Sequence, residues 1–344
     1  MALVLKSDKP ILSNTNTFNT LDMLTGSELA QLYIDRVAAD GGTISDIDYL
    51  NRICNFLATN KLASKVHTIA SASLGVKVAE NNDVSKMYNL INDYDLKLVQ
   101  LNASMNIIDN PAKPKFVAKT SGNRAQVWQG SSTTANSSTS LGNVFIQDQQ
   151  YLSTNECVSV SIVAEMTGVD SFSGLSIFSF ANSDNKTRYN RVFHGTSNYT
   201  SDTALGNITA YMSDARSDED DSQREYVIYA SRGTTSGAAI KKDGVLHFFT
   251  GKDANARVAV SNKLASNSDV YTNTLNNSTA AKTKQFKEKR NFNLGTSYHP
   301  TTNRFSNLKF YDVFVFRDLN DFNQSLLVRD FIESELKLFY GNRS

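Results

Sequence analysis

The order of apolar and polar residues near the start of the chain predicts two helices. The first has an apolar face that recurs every three or four residues, at Leu29, Leu32, Tyr33 and Val37. Thr25-x-x-Glu28 has the spacing of a capping box, and Gly41-Gly42 can end the helix in a left-handed conformation. Ser45 opens the second helix, whose apolar side consists of Ile47, Leu50, Ile53, Cys54 and Leu57.

The segment that follows these helices supports more than one interpretation. Its apolar residues fit either a third helix or a packed loop; they are Val66, Ile69, Ala70 and Leu74. A strand or hairpin is predicted around Lys97 to Ile107. Pro111 and Pro114 then interrupt the chain and mark a boundary near residues 108–115.

Beyond this boundary, short strand patterns alternate with turns rich in Gly, Asn, Ser and Asp. The strand-like runs are Lys115–Lys119, Gly142–Ile146, Val158–Met166, Ser173–Phe180, Arg188–His194, Ile208–Met212, Tyr226–Ser231, Val245–Thr250 and Ala256–Ser261. Lys242-Asp243-Gly244 is a hairpin signal between two of them. Many short strands in succession are typical of a β-sandwich.

The last fifty residues contain two more strand patterns and a final amphipathic helix. The strands are predicted at Asn291–Leu294 and Leu308–Phe316. The second has aromatic residues on both faces, which predicts that both of its faces are covered. The helix has Leu326, Leu327, Phe331 and Leu336 near helical spacing.

These patterns predict a mostly β protein in three parts. Residues 1–20 form an extended arm, 21–112 a small, mainly helical attachment domain, and 113–344 a β-sandwich with a short C-terminal helix. The apolar residues of the arm are expected to become ordered only against a partner. They are Leu3, Val4, Leu5, Ile11 and Leu12.

Charge and composition exclude several classes of function. The chain has 35 Lys and Arg against 34 Asp and Glu, so its overall charge does not indicate the concentrated basic surface that nucleic-acid binding needs, and the basic run at residues 282–290 is interpreted as a solvated loop. No apolar run approaches the ~20 residues of a membrane span. The opening residues are too short an apolar run for a signal peptide, which predicts synthesis in the cytoplasm. Two cysteines, Cys54 and Cys157, cannot form a disulfide framework.

Two motifs and the final strands resemble proteins of double-stranded DNA phage particles. Residues 33–43, YIDRVAADGGT, are similar to a Y-x-x-R-V-x-A-D-G-G helix that precedes a concanavalin A-like (laminin G-like) jelly roll. Lys86-Met87-Tyr88-Asn89-Leu90 resembles a K-x-Y-D-L linking element, with Asn89 where Asp is usual. The closing strands and short helix resemble the end of that jelly roll. The resemblance implies a virion location, with other virion proteins, copies of the same chain and host glycans as partners.

The sequence offers few candidates for catalytic or metal-binding residues. Glucan-cleaving concanavalin-like enzymes carry E-x-D-x-x-E on one strand, and this chain has no such motif. The acidic residues Asp214, Asp218 and Asp220 are interpreted as a solvated loop and are the ligands expected if calcium binds. Four histidines lack ligand spacing and are interpreted as structural: His67, His194, His247 and His299. We therefore predict no cofactor and no enzymatic activity.

Three aromatic residues in polar surroundings are the candidates for stacking on sugars. They are Trp128, Tyr199 and Tyr271. The function predicted from the resemblance is a non-catalytic structural protein of a phage virion, as a capsid decoration or a tail or fibre component, that displays a lectin-like jelly roll to host-surface glycans. The alternative is a carbohydrate-binding lectin module or a divergent glycan-cleaving enzyme.

Overall fold

The architecture is that of a computed structural model. Its backbone is described for residues 18–102, 107–109, 112–131, 141–147, 158–166, 175–181, 191–201, 204–213, 226–232, 245–250, 257–264, 267–274, 291–295, 308–317, 319 and 322–340. Side chains are described for residues 20–102, 107–109, 112–131, 142–147, 159–164, 178, 292–295, 308–317, 319 and 324–339.

Four α-helices occur among these residues. They are α1 at Phe18–Leu21, α2 at Gly26–Ala39, α3 at Ile47–Asn60 and α4 at Phe322–Tyr340, and a 3₁₀ turn covers Ala63–Lys65. The capping box of α2 is confirmed, because Thr25 and Glu28 bond each other's backbone N–H groups. Gly41 has a φ of 70°, which is the left-handed helix end predicted there. The N-cap of α3 is Asp46 rather than Ser45, since its carboxylate accepts from the Tyr49 N–H at 3.0 Å.

Seventeen strands carry most of the described chain. They are β1 Val66–Ser71, β2 Val76–Val78, β3 Val84–Met87, β4 Leu96–Asn102, β5 Lys115–Val117, β6 Gln126–Trp128, β7 Leu141–Gln147, β8 Val158–Met166, β9 Leu175–Ala181, β10 Arg191–Ser201, β11 Ala204–Ser213, β12 Tyr226–Arg232, β13 Val245–Thr250, β14 Arg257–Leu264, β15 Asn267–Thr274, β16 Asn291–Leu294 and β17 Leu308–Arg317.

The strands form two antiparallel sheets, which confirms the predicted β-sandwich. One has the order β15-β14-β13-β8-β17-β6-β5, with β1 also paired to β17, and the other has the order β12-β11-β10-β9-β16-β7-β4-β3-β2. Side chains connect the sheets through the interior. For example, the Thr68 hydroxyl in β1 donates to Gln147 Oε1 in β7 at 2.8 Å, and both residues are buried.

Strand β17 is buried on both faces, as its aromatic pattern predicts. It pairs with β8 along its whole length. On its other edge it pairs first with β6, at Lys309 and Phe310, and then with β1, from Asp312 to Phe316. At the change of partner, the Tyr311 carbonyl accepts from the Ala72 N–H at 3.1 Å. One strand therefore holds three others in register.

The helices cover the face of β17 that points away from the other sheet. The buried residues of this layer include Leu29, Tyr33 and Val37 of α2, Leu50, Ile53, Cys54 and Leu57 of α3, Val66 and Ile69 of β1, Tyr311, Phe314 and Phe316 of β17, and Val328, Ile332 and Leu336 of α4. Removing this much apolar surface from water is the main favourable contribution that fixes helices on a sheet. Among the described residues, helices and sandwich thus share one core.

One sequence-based expectation differs from this arrangement. Val66–Ser71, expected in a helix or a packed loop, is a strand, because both of its faces are buried and it pairs with β17. Besides α2 and α3, the stretch 21–112 contains β1 to β4, and these strands pair within both sheets. The turn Lys242-Asp243-Gly244 lies outside the described residues, and the strands on either side of it, β12 and β13, belong to different sheets.

A buried ion pair lies where β17 changes its partner. Both terminal nitrogens of Arg124 donate to the carboxylate of Asp312, at 2.5 and 2.8 Å, and the side chains are only 5% and 0% exposed. The Arg124 guanidinium also lies 4.9 Å from the ring centroid of Tyr49 in α3. The pair therefore joins the loop before β6, strand β17 and the helical layer.

Replacing Asp312 by Asn should destabilise the protein strongly. Asp312→Asn keeps the shape of the side chain but leaves the Arg124 charge buried without its counter-ion, which typically costs about 3–5 kcal/mol. The free energy of unfolding, measured by urea denaturation, is the readout. The control is Asp109→Asn, because Asp109 is 92% exposed and lies 4.0 Å from Lys113, which is 42% exposed, and a change below about 0.5 kcal/mol is expected there. Equal effects of the two variants would contradict the assigned role of the buried pair.

Candidate glycan-binding surface

The two motifs that carry the phage resemblance contact each other. Tyr88 donates its hydroxyl hydrogen bond to the Asp40 carboxylate at 2.7 Å, and Arg36 donates to the Asn89 carbonyl. A Cβ at Gly42 would lie 2.4 Å from the Tyr88 ring, so this glycine is required for the close approach. The Asp40 pKa is held well below its usual range by hydrogen bonds from Lys86, Tyr88 and Lys77. The two motifs form a structural connection between α2 and β3.

Asn89, where the linking element usually has Asp, needs its amide nitrogen in this protein. Its Nδ2 donates to the His67 carbonyl at 3.0 Å and to Asn92 Oδ1 at 2.7 Å, while its Oδ1 accepts from the Ile69 N–H at 3.0 Å. A carboxylate could accept but could not donate, so Asp here would place two buried acceptors against negative charge. The departure from the motif is therefore explained by the neighbours of the side chain.

Trp128 is the candidate sugar platform whose side chain the structure describes. It lies in β6, and its indole is 43% exposed, whereas Val127 beside it is fully buried. Gln126, two residues away on the same face of the strand, accepts from the Tyr311 hydroxyl at 3.0 Å. Since Tyr311 lies in the core under the helices, Trp128 is on the helix-bearing face of the sheet, beyond the area that the helices cover.

Two lysines flank Trp128 on the neighbouring strands. Lys115 of β5 and Lys309 of β17 are its cross-strand partners, so the three side chains form one row with a spacing of about 4.8 Å between strands. Lys115 Nζ lies 2.5 Å from Asp83 Oδ1. The result is an exposed aromatic surface bordered by charged hydrogen-bonding groups. These lysines could not be recognised from the sequence, because only the strand register places them beside Trp128.

The other two aromatic candidates do not join Trp128. Tyr271 is in β15, at the opposite edge of the same sheet, five strand positions or about 24 Å from β6. Tyr199 is in β10 of the other sheet. The side chains of these two tyrosines are outside the described set. A single sugar therefore cannot contact all three residues.

The remaining candidate residues lie outside the described part of the chain. The acidic residues Asp214, Asp218 and Asp220 are outside the described ranges, as are the arm residues Leu3, Val4, Leu5, Ile11 and Leu12. Among the residues that are described, no group of three or more His, Cys, Asp or Glu could hold a metal ion. None of the described helices is long and apolar enough to cross a membrane.

Cys54 and His67 are buried groups whose surroundings suppress their ionisation. Burial raises the pKa of the Cys54 thiol to about 12, so it remains an unreactive thiol in the helical layer. Burial, with a smaller effect of the Arg317 charge, lowers the pKa of His67 to about 3. His67 Nδ1 is 2.8 Å from the Thr68 hydroxyl, in agreement with a structural histidine.

Comparison with known proteins gives likenesses of fold. The chain matches no protein-family model, and no curated protein is similar to it in sequence. An arabinofuranosidase complexed with arabinofuranosyl-α-1,2-xylobiose is 10% identical over 78% of this chain and 59% of the other, with a TM-score of 0.46. Tailspike protein 2 of an Escherichia coli bacteriophage is 9% identical over 71% and 27%, with a TM-score of 0.40. A family 7 alginate lyase is 14% identical over 65% and 94%, with a TM-score of 0.37.

These likenesses describe architecture and carry no conclusion about activity. The chain spans about half the length, 52%, of two further structures that it matches. They do correct one prediction, namely that the chain is not an enzyme. That prediction relied on the rarity of catalysis in the expected fold, whereas glycoside hydrolases and an alginate lyase are among the similar structures. A fold of this kind therefore does not imply an absence of catalysis, and the prediction is wrong.

The stability of the protein should depend on pH through His67. The unfolded chain binds a proton at this histidine below about pH 6.5, whereas the folded protein does not until about pH 3, so stability is complete above pH 6.5 and falls as the pH is lowered. Between pH 7.0 and 5.5 the loss from this group should be about 1.3 kcal/mol.

Urea unfolding at these two pH values, on the wild type and on His67→Gln, measures this contribution. The difference between the two pH dependences isolates His67 from every other titrating group. If His67→Gln loses as much free energy of unfolding as the wild type over this interval, His67 does not remain neutral in the folded protein.

Proposed function

We propose that the protein is a glycan-binding β-sandwich protein of a bacteriophage particle. The observation that carries the glycan-binding part is the exposed indole of Trp128 within the row Lys115–Trp128–Lys309. Trp is a large rigid side chain with an apolar face and one polar N–H, and burying it against a ligand costs little conformational entropy. Such residues dominate the binding energy of interfaces in which they occur.

The chemistry of this row suits a sugar. The apolar C–H face of a pyranose ring can cover the indole, while its hydroxyls accept from the ammonium groups of the two lysines. The aliphatic parts of the lysine side chains extend the apolar surface on either side of the ring. Because β5, β6 and β17 are fixed by the sheet, the backbone of the three residues is held in place before a ligand arrives.

The association with a phage particle rests on the two motifs and on how they contact each other. In the first motif, Arg36, Asp40 and Gly42 contact the Lys86–Leu90 motif, and Tyr33 contacts Gly75, so the two motifs act as one structural connection. The two motifs do not distinguish between a position on the capsid, in the tail or in a fibre. A protein on a phage particle would meet glycans on the host surface, and these are the proposed ligands.

Glycan binding should be lost when the indole is removed. In titrations against a panel of bacterial surface polysaccharides, Trp128→Ala should bind roughly thirtyfold more weakly than the wild type, because about 2 kcal/mol of contact energy is removed. Trp128→Phe should retain much of the binding, since it keeps an aromatic face. Leu32→Ala is the matched control, because Leu32 is a large exposed apolar residue on α2, 57% exposed, away from this row.

Two results would revise this proposal. An absence of saturable binding to every polysaccharide in the panel would contradict the function. Saturable binding that Trp128→Ala leaves unchanged would contradict the site but keep the function. Analysis of the same mixtures for shortened oligosaccharides tests whether the protein also cleaves the glycan that it binds.

The particle assignment has its own test. Mass spectrometry of purified phage particles should detect the protein, with a copy number that can be compared with that of the major capsid protein. Many copies would favour capsid decoration, and a few copies would favour a tail or fibre. If particles lack the protein, the assignment to the virion is wrong, while the glycan-binding proposal stands or falls with the Trp128 experiment.

A further inference from the structure

Helices α3 and α4 lie antiparallel and side by side on the outside of the molecule. Arg52 donates to the Glu335 carboxylate at 2.8 and 3.0 Å, and the rings of Phe56 and Phe331 stack with centroids 4.2 Å apart. Arg52 thus lies beside Glu335, and Phe56, one turn later in α3, lies beside Phe331, one turn earlier in α4. The N-terminal part of α4 therefore lies beside the C-terminal end of α3.

A line of apolar side chains follows the outer side of this helix pair. Leu327, Phe331 and Leu338 are spaced by four and seven residues, so they lie on one face of α4, a different face from that of Val328 and Ile332 in the core. Leu327 is 42% and Leu338 is 68% exposed. We name this line, together with Phe56, the α4 seam.

The start of the described chain lies at one end of the α4 seam. The Asp22 carboxylate accepts from the Ser64 N–H at 3.0 Å, and the Asp22 carbonyl accepts from Lys61 Nζ at 2.8 Å, so α1 is held against the C-terminal end of α3. Lys61 is five residues, or about 8 Å, from Phe56 along the helix axis. Residues 1–17 therefore join the described structure beside the Leu327 end of the seam.

We propose that the α4 seam is the docking surface for residues 1–17 of the same chain. These residues contain two apolar groups, Leu3-Val4-Leu5 and Ile11-Leu12. Five residues lie between the groups, so Leu5 and Ile11 are about 20 Å apart in an extended chain. Leu327 and Leu338 are eleven residues apart, or about 16 Å along α4. The two apolar groups thus match the two exposed ends of the seam, with the stacked Phe56–Phe331 pair between them.

The point of attachment favours the chain's own segment over a second copy. Five residues lie between Leu12 and Phe18 at the start of α1, so Leu12 can be about 20 Å from Phe18 when the chain is extended. This reach is enough for Leu12 to contact Leu327 at the near end of the seam. A segment tethered this close to its surface has an effective concentration in the millimolar range, far above that of a second chain in dilute solution. Docking in this way would cover apolar side chains that water otherwise contacts.

Hydrogen exchange of the full-length protein tests this proposal. At micromolar concentration, the amides of residues 3–12 should exchange at least about tenfold more slowly than in a free peptide of that sequence. In the double variant Leu327→Ser/Leu338→Ser they should exchange at the rate of the peptide. Leu32→Ser, which removes an exposed leucine from α2, is the control and should leave the exchange of residues 3–12 unchanged.

Exchange in α3, followed in the same samples, shows whether each variant is folded, because the exposed positions of the seam contribute little to the core. Three outcomes would overturn the proposal. They are peptide-like exchange of residues 3–12 in the wild type, protection that the double variant retains, and protection that appears only as the protein concentration is raised. The last outcome would show that a second copy covers the seam.

Discussion

Strand β17 must be covered on both faces, and this requirement organises the rest of the molecule. Its ten residues, Leu308–Arg317, place apolar side chains on both sides, so one layer of packing cannot remove them from water. The second sheet covers one face, and α2, α3 and α4 cover the other. Because β17 also bonds β8 on one edge and β6 and then β1 on the other, its position fixes the register of both halves of its sheet.

The burial of β17 on both faces also explains why Asp312 pairs with Arg124. A carboxylate in the middle of such a strand would be too costly without a partner of opposite charge. Asp312 lies at the change from β6 to β1, where the ladder is interrupted by a bulge, and Arg124 reaches it from the loop that leads into β6. Asp312 thus favours a single register of β17 against its neighbouring strands, because a shift by one residue would leave a buried charge without its partner.

Much of the fold could be predicted from the sequence because the corresponding signals are local. The capping box at Thr25 and Glu28, the left-handed Gly41 and the aromatic pattern of Leu308–Phe316 each lie within a few residues. Val66–Ser71 could not be recognised as a strand, because it has neither alternation nor a continuous apolar run. Its polar residues His67, Thr68 and Ser71 are buried, and their burial depends on distant partners such as Gln147. The exposure of Trp128 was left open by the sequence, and its lysine neighbours depend on pairings between β5, β6 and β17.

The helical layer and the Trp128 surface divide one face of one sheet. Helices α2, α3 and α4 cover β17 from Tyr311 onward, whereas Trp128 and Lys309 lie on the part that remains open. Gln126 connects the two areas, since it accepts from Tyr311 under the helices and is two residues from Trp128. The open surface is therefore a part of the sheet that the helices leave uncovered, not a loop placed on top of it. A ligand at Trp128 would meet side chains whose backbone is fixed by pairing with β17, a strand that is buried on both faces, so little ordering of the backbone would oppose binding.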